Sequence, residues 1–117
     1  MDVVLLIDQD RAARAALGLA ALKRGVATAV AETLSDGVRT LLATPVSLIV
    51  VDRALLRLSA REHAALFERV APRVPVVVVV QPETPLATRL PFELAGFQVR
   101  TRPFALEDLI AAGPRSP

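Results

Sequence analysis

Two aspartates and one arginine are the residues of this chain best placed to do chemistry together. Asp8 closes the apolar run VVLLI, Asp52 closes VSLIVV, and Arg102 follows FQVRT. Apolar runs that stop at a charge are how an open α/β sheet presents a polar pocket, because its ligands sit beyond the carboxyl ends of the strands, where the strand order reverses. Carboxylates on the tips of neighbouring strands face each other across about 4.8 Å, the spacing of paired strands. Two anions so close are unfavourable unless one is protonated or a cation lies between them. A hard divalent ion with oxygen ligands and retained waters, such as Mg²⁺, suits that role. It would also neutralise a phosphoryl group and hold it in line with an attacking carboxylate. The guanidinium of Arg102 is the other available cation, and an internal bridge from it to Asp8 and Asp52 would compete with the metal.

The elements that must position these groups follow from the hydropathy pattern. Residues 3–7 read as a strand, and Asp8-Gln9-Asp10 as the turn into a helix. Residues 11–24 are rich in Ala and Leu with Arg at intervals, and Gly25 ends them. Asp10 is placed to cap that helix, a short acid accepting from its first free amides. Residues 26–31 make a weaker strand. Ser35 is placed to cap a second helix that runs to Ala43 and is closed by Pro45. Residues 46–51 form a third strand ending at Asp52. The run from Ser59 to Glu62 is a capping box opening a third helix, which Pro72 closes. Residues 74–80 form a fourth strand, its valines fitting burial on both faces as a parallel sheet requires. Residues 81–95 read as irregular: Gln81-Pro82-Glu83-Thr84-Pro85 is loop chemistry, and Pro91 breaks any helix begun at Pro85. Gly96 leads into a fifth strand over 97–101, and residues 106–112 make a short last helix. Strands alternating with helices in this way build a three-layer α/β/α sandwich.

Composition excludes several classes. At 117 residues there is room for one domain, assigned to residues 1–112, with 113–117 as a tail or the start of a linker. The apolar share is 53% and the charged share 22%, a globular balance. Without cysteine there are no disulfides or thiolate metal sites, and with no secretory leader pattern the expected location is cytoplasmic. Apolar runs such as Val76–Val80 fall far short of the roughly 20 residues of a membrane helix. Net charge is +2, and the basic residues are scattered among acids, with only four Phe as aromatics, so the chain lacks a nucleic-acid footprint. No Gly-rich loop follows the first strand, which argues against a nucleotide-binding enzyme.

Read in order, VVLLIDQD, SDGVRTLLATPVSLIVVD, VPVVVVV and GFQVRTRPFALEDL resemble the receiver domain of two-component response regulators along the whole chain. The resemblance implies a flavodoxin-like fold with five parallel strands in the order 2-1-3-4-5, which sets the first and third strands side by side. It implies that Asp52 stands at the phosphoacceptor position and Asp8 at that of a metal-binding acid. The Ala54 carbonyl would be the main-chain ligand of Mg²⁺, and Arg102 replaces the lysine that pairs with the phosphorylated aspartate. It also implies a cis Arg102-Pro103 bond, a histidine kinase or other signalling protein as partner, and a homodimer. No enzymatic activity is implied beyond Mg²⁺-dependent self-phosphorylation and dephosphorylation.

The departures from that pattern are as informative. Gln9 stands where a second acid belongs and is at most a weak, uncharged ligand. Val80 replaces a Ser or Thr whose hydroxyl bonds the phosphoryl group, and Val99 replaces the aromatic that moves when that hydroxyl is engaged. Arg53-Ala54-Leu55-Leu56 replaces a Met-Pro turn, and a planar guanidinium at position 102 is no equivalent of a compact ammonium. Pro82, Pro85 and Pro91 should shorten or displace the fourth helix. The expected function is an atypical receiver acting in phosphorelay signalling, phosphorylated on Asp52 with a non-standard switch. The alternative is a phosphorylation-independent scaffold of the same fold that dimerises or docks a partner. Among the remaining residues, His63 is expected on the exposed face of the third helix, Ser59 is a cap and no nucleophile, and Gly18 is expected to permit close packing.

Overall fold

The computed structural model describes residues 2–105 and 108–109. Its elements are β1 (Val3–Ile7), α1 (Arg11–Lys23), β2 (Ala27–Ala31), α2 (Leu34–Ala43), β3 (Leu48–Asp52), a 3₁₀ turn (Arg53–Leu55), α3 (Ala60–Val70), β4 (Val76–Val80), α4 (Leu86–Leu94) and β5 (Gln98–Thr101). The strands form one parallel sheet in the order β2-β1-β3-β4-β5. Parallel strands need crossovers, so helices cover both faces and the central strands are apolar throughout. Every residue of β4 is buried, which is what its five valines require.

The two faces have separate cores. Leu5, Ile7, Ile49, Val51, Val78 and Val80 point toward Leu41 of α2, Phe67 of α3 and Phe92 of α4. Val4, Leu6, Val50, Val77 and Val79 point the other way, toward Leu17, Ala20 and Ala21 of α1 and toward Leu109. The alternation is the period of two expected of strands. Gly37 of α2 crosses β1 so closely that a Cβ there would lie 2.5 Å from Ile7 Cδ1. Gly18, expected to mark a close approach, does not: a Cβ there would meet nothing nearer than Thr28 Oγ1 at 3.8 Å.

Two local expectations are corrected. Thr33, not Ser35, caps α2, its hydroxyl accepting from the Asp36 amide at 3.1 Å. Residues 86–94, read as irregular, form α4 with Pro91 inside it. Proline removes one helical amide bond, but the turn resumes, the Ala95 amide donating to the Pro91 carbonyl at 3.0 Å. Phe92 holds this turn down, buried against Phe97 with ring centroids 5.8 Å apart. Tertiary packing overrides a poor local propensity here. The helix predicted over 106–112 and the tail over 113–117 lie almost wholly outside the described residues.

Candidate functional site

Register brings the two aspartates together. Ile7 of β1 is level with Val51 of β3, so Asp8 and Asp52, the next residues, emerge side by side at the carboxyl edge. The backbone of Asp8 is fixed from both sides. Its amide donates to the Ala31 carbonyl at 3.0 Å, extending the β1–β2 ladder, and its carbonyl accepts from Arg14 Nη1 at 2.6 Å. Its side chain turns back on the chain, Oδ1 accepting from the Asp10 amide at 2.8 Å. Asp10 is the N-cap of α1, its own Oδ1 accepting from the amides of Ala12 and Ala13. Asp52 caps the 3₁₀ turn, its Oδ1 accepting from the Ala54 amide at 3.0 Å.

Arg102 arrives from the far side of the sheet. Thr101 pairs with Val80, and the Arg102 amide donates to the Val80 carbonyl at 3.0 Å, so the ladder aims its side chain back over the strand tips. The Arg102-Pro103 bond is cis. One nitrogen, Nη2, donates to Asp8 Oδ2 at 2.5 Å and lies 3.8 Å from Asp52 Oδ2. The guanidinium thus stands between the two carboxylates. With the Asp8 side chain 10% exposed and the other two at 22–23%, Coulomb attraction here is less screened than on the surface.

The structure adds Arg14, which the sequence reading did not single out. Its side chain is 11% exposed and spans the Asp8 carbonyl and Glu32 Oε1, the latter 3.3 Å from Nη2. The available signal was its spacing: four residues after the cap Asp10, it lies one turn into α1, above the tip of β1. Gln9 is exposed, and Ala54 meets the site through its amide on Asp52. Val80 and Val99 are both buried in the core shared with Phe92 and Phe97.

His63 differs from expectation. It is 1% exposed, and its Nε2 accepts from the Leu58 amide at 2.9 Å while Nδ1 is buried with no hydrogen-bond partner. An accepting Nε2 puts the proton of the neutral ring on Nδ1. Burial lowers its pKa, with Glu62 opposing weakly. The neutral ring pins the loop that joins the Asp52 turn to α3. The capping box is as predicted: Ser59 Oγ accepts from the Glu62 amide and Glu62 Oε1 from the Ser59 amide, bonds that lower the Glu62 pKa.

No protein-family model and no curated protein matches the chain. Solved structures do. A response regulator from Burkholderia pseudomallei, carrying a phosphorylated aspartic acid, a calcium ion and citrate, superposes with a TM-score of 0.81 at 20% identity, over 99% of this chain and 68% of its own. The beryllofluoride-activated NtrC4 receiver domain dimer gives 0.80 at 18%, over 96% and 93%. The receiver domain of the sensor histidine kinase PA1611 from Pseudomonas aeruginosa, with magnesium in its active-site cleft, gives 0.76 at 16%, over 95% and 93%. The fold is that of response-regulator receiver domains, the CheY-like arrangement of the flavodoxin fold.

Set beside the metal-bearing neighbours, the donor set of this chain is a poor fit to a divalent ion. Among the described residues no three of His, Asp and Glu gather, so an ion here would have the two carboxylates and its own waters as ligands. Gln9 brings no charge, and the position between Asp8 and Asp52 is taken by Arg102 Nη2.

Proposed function

We propose that this chain is an atypical response-regulator receiver domain, a signalling module of the two-component class with Asp52 as its candidate phosphoacceptor. The observation that carries the reading is the pairing of Asp8 and Asp52 on adjacent strand tips with Arg102 between them. Asp52 Oδ2 is the carboxylate oxygen turned toward the guanidinium, so a phosphoryl group formed on it meets a planar donor fork at once. Arg102 is then the positioning cation, and Asp8 and Arg14 hold it and the β1 tip in place. The unit is taken to be residues 1–112, with 113–117 as tail or linker. Its partner class is a histidine kinase or other signalling protein, and its own chemistry is limited to gaining and losing that phosphoryl group. No described helix is long and apolar enough to cross a membrane.

The relay from such a site differs from a hydroxyl–aromatic switch. Val80 is 2% and Val99 8% exposed, and neither side chain can bond a phosphoryl oxygen. Incubation with acetyl phosphate, with and without Mg²⁺, followed by intact-mass measurement, is the test. A phosphoryl adduct that Asp52→Asn abolishes supports the reading; no adduct under either condition removes it.

One observation favours a second reading, a scaffold of receiver fold that works without phosphorylation. Leu86, Leu90 and Leu94 recur every four residues on α4 and are 66%, 42% and 79% exposed. That spacing makes a single apolar stripe on one helix face, suited to a second copy or a partner helix. Light scattering of the protein and of Leu90→Glu, before and after acetyl phosphate, separates the readings: assembly that depends on Leu90 and ignores phosphorylation belongs to the scaffold.

A further inference from the structure

We infer that Arg102 is the resident cation of this pocket, so that the folded acid pair already holds its counter-charge and takes no divalent ion at low millimolar concentration. Three observations carry this, and none depends on whether Asp52 is phosphorylated.

The first is position. A metal shared by two carboxylates must lie between them, and Nη2 of Arg102 lies there, at 2.5 Å from Asp8 and 3.8 Å from Asp52. The second is charge. Asp8 and Asp52 share the Arg102 guanidinium, which leaves the three groups with a single negative charge, while Arg14, held to the Asp8 carbonyl at 2.6 Å with its side chain 11% exposed, is paired with Glu32. Asp10 is turned onto the amides that begin α1, and Glu32, 68% exposed, binds the outer side of Arg14. A divalent ion entering this set would leave excess positive charge in a partly desolvated place, which is unfavourable. The third is supply of ligands. Asp8 Oδ1 and Asp52 Oδ1 already accept backbone amides at 2.8 and 3.0 Å, and Gln9 adds no charge. An ion that demands near-octahedral oxygen coordination and gives up its waters reluctantly gains too little here to displace a hydrogen-bonded guanidinium.

The neutralising charge is therefore covalently tethered. A cation carried on the loop after β5 cannot be diluted or chelated away, and the two strand tips stay bridged at any metal concentration. Removing the arginine should leave a bare acid pair, which is a divalent-ion site.

Thermal unfolding followed by circular dichroism, with MgCl₂ against ionic-strength-matched NaCl, reads this directly, backed by calorimetric Mg²⁺ titration. In the unaltered protein 10 mM MgCl₂ should leave the midpoint within about 1 °C of the NaCl control. Arg102→Met should have a lowered midpoint that Mg²⁺ raises by several degrees, as ligand linkage requires. Gln9→Asp together with Arg102→Met should bind at least about tenfold more tightly than Arg102→Met alone, the added carboxylate supplying both charge and ligand. Should Arg102→Met fail to fold even with Mg²⁺, Arg102→Gln decides: it removes the charge but keeps a donor for Asp8, so a Mg²⁺-dependent gain in midpoint supports the inference and its absence overturns it. Submillimolar Mg²⁺ binding by the unaltered protein overturns it outright.

Discussion

Acidification should loosen this fold through the buried His63. The imidazole is 1% exposed, its Nε2 accepts the Leu58 amide at 2.9 Å, and its Nδ1 faces no partner. Protonation would set an N–H on Nε2 against the Leu58 N–H and place a charge where water cannot reach. The pKa is accordingly lowered from its ordinary 6.5, first by burial, with the Glu62 charge working the other way. The sign follows from linkage. Above pH 6.5 both folded and unfolded chains carry a neutral ring and nothing is lost. Below it the unfolded chain takes a proton that the folded one resists, so stability falls as pH falls. The slope is about 1.4 kcal/mol per pH unit while the folded ring stays neutral, which sets a ceiling of about 2 kcal/mol at pH 5. At roughly 5 °C per kcal/mol for a domain of this size, that is a drop of up to about 10 °C in Tm. Urea unfolding followed by circular dichroism from pH 8 to pH 5 measures it, with His63→Gln as control, since glutamine keeps an acceptor and cannot titrate there. Superimposable profiles for the two proteins, or an NMR titration in which His63 gains its proton at or above pH 6.5, would refute the reasoning.

Other expectations rest on different contacts. Glu62, whose pKa is lowered by its bonds to Ser59, stabilises α3 above its unfolded value of 4.5 and loses that effect as pH falls further, a window below that of His63. Ser59→Ala should cost about 1 kcal/mol in urea and bring the Glu62 titration, followed by NMR, back toward 4.5. Asp8→Asn should cost about 1–2 kcal/mol, because Arg102 keeps Asp52 at 3.8 Å. Arg102→Met should cost more, about 2–4 kcal/mol, because it strands two carboxylates; equal urea midpoints for the two variants would contradict the bridge. Gly37→Ala forces a methyl to within 2.5 Å of Ile7 Cδ1, and the strain should exceed the roughly 1 kcal/mol gained in helix propensity. Adding Ile7→Val should then recover part of the loss, a coupling of at least about 0.5 kcal/mol in a double-mutant cycle.

The order of strands and helices was legible because burial writes its period into the chain: the valines of β4, the capping box at Ser59 and the stop at Gly25 each report a local requirement. So were the three charged groups of the site, since each ends an apolar run or follows one. His63 was misread because the residues beside it in sequence, Arg61, Glu62 and Glu68, are exposed, and helical neighbours do not reveal what a loop from outside the helix places against the ring. Pro91 was misread for the opposite reason: a local rule predicted a break, and the burial of Phe92 against Phe97 outweighed it.

By itself the sequence determined a parallel α/β sandwich and the acids at its strand tips, because periodicity and chain punctuation are local quantities. Only the tertiary structure decided how those charges are balanced. The bond from Arg102 to Asp8 joins residues 94 apart in the chain, and which oxygen the guanidinium takes depends on the register of five strands together. The burial of His63 and the grip of Arg14 on β1 likewise arise from packing between elements, where no single segment carries the information.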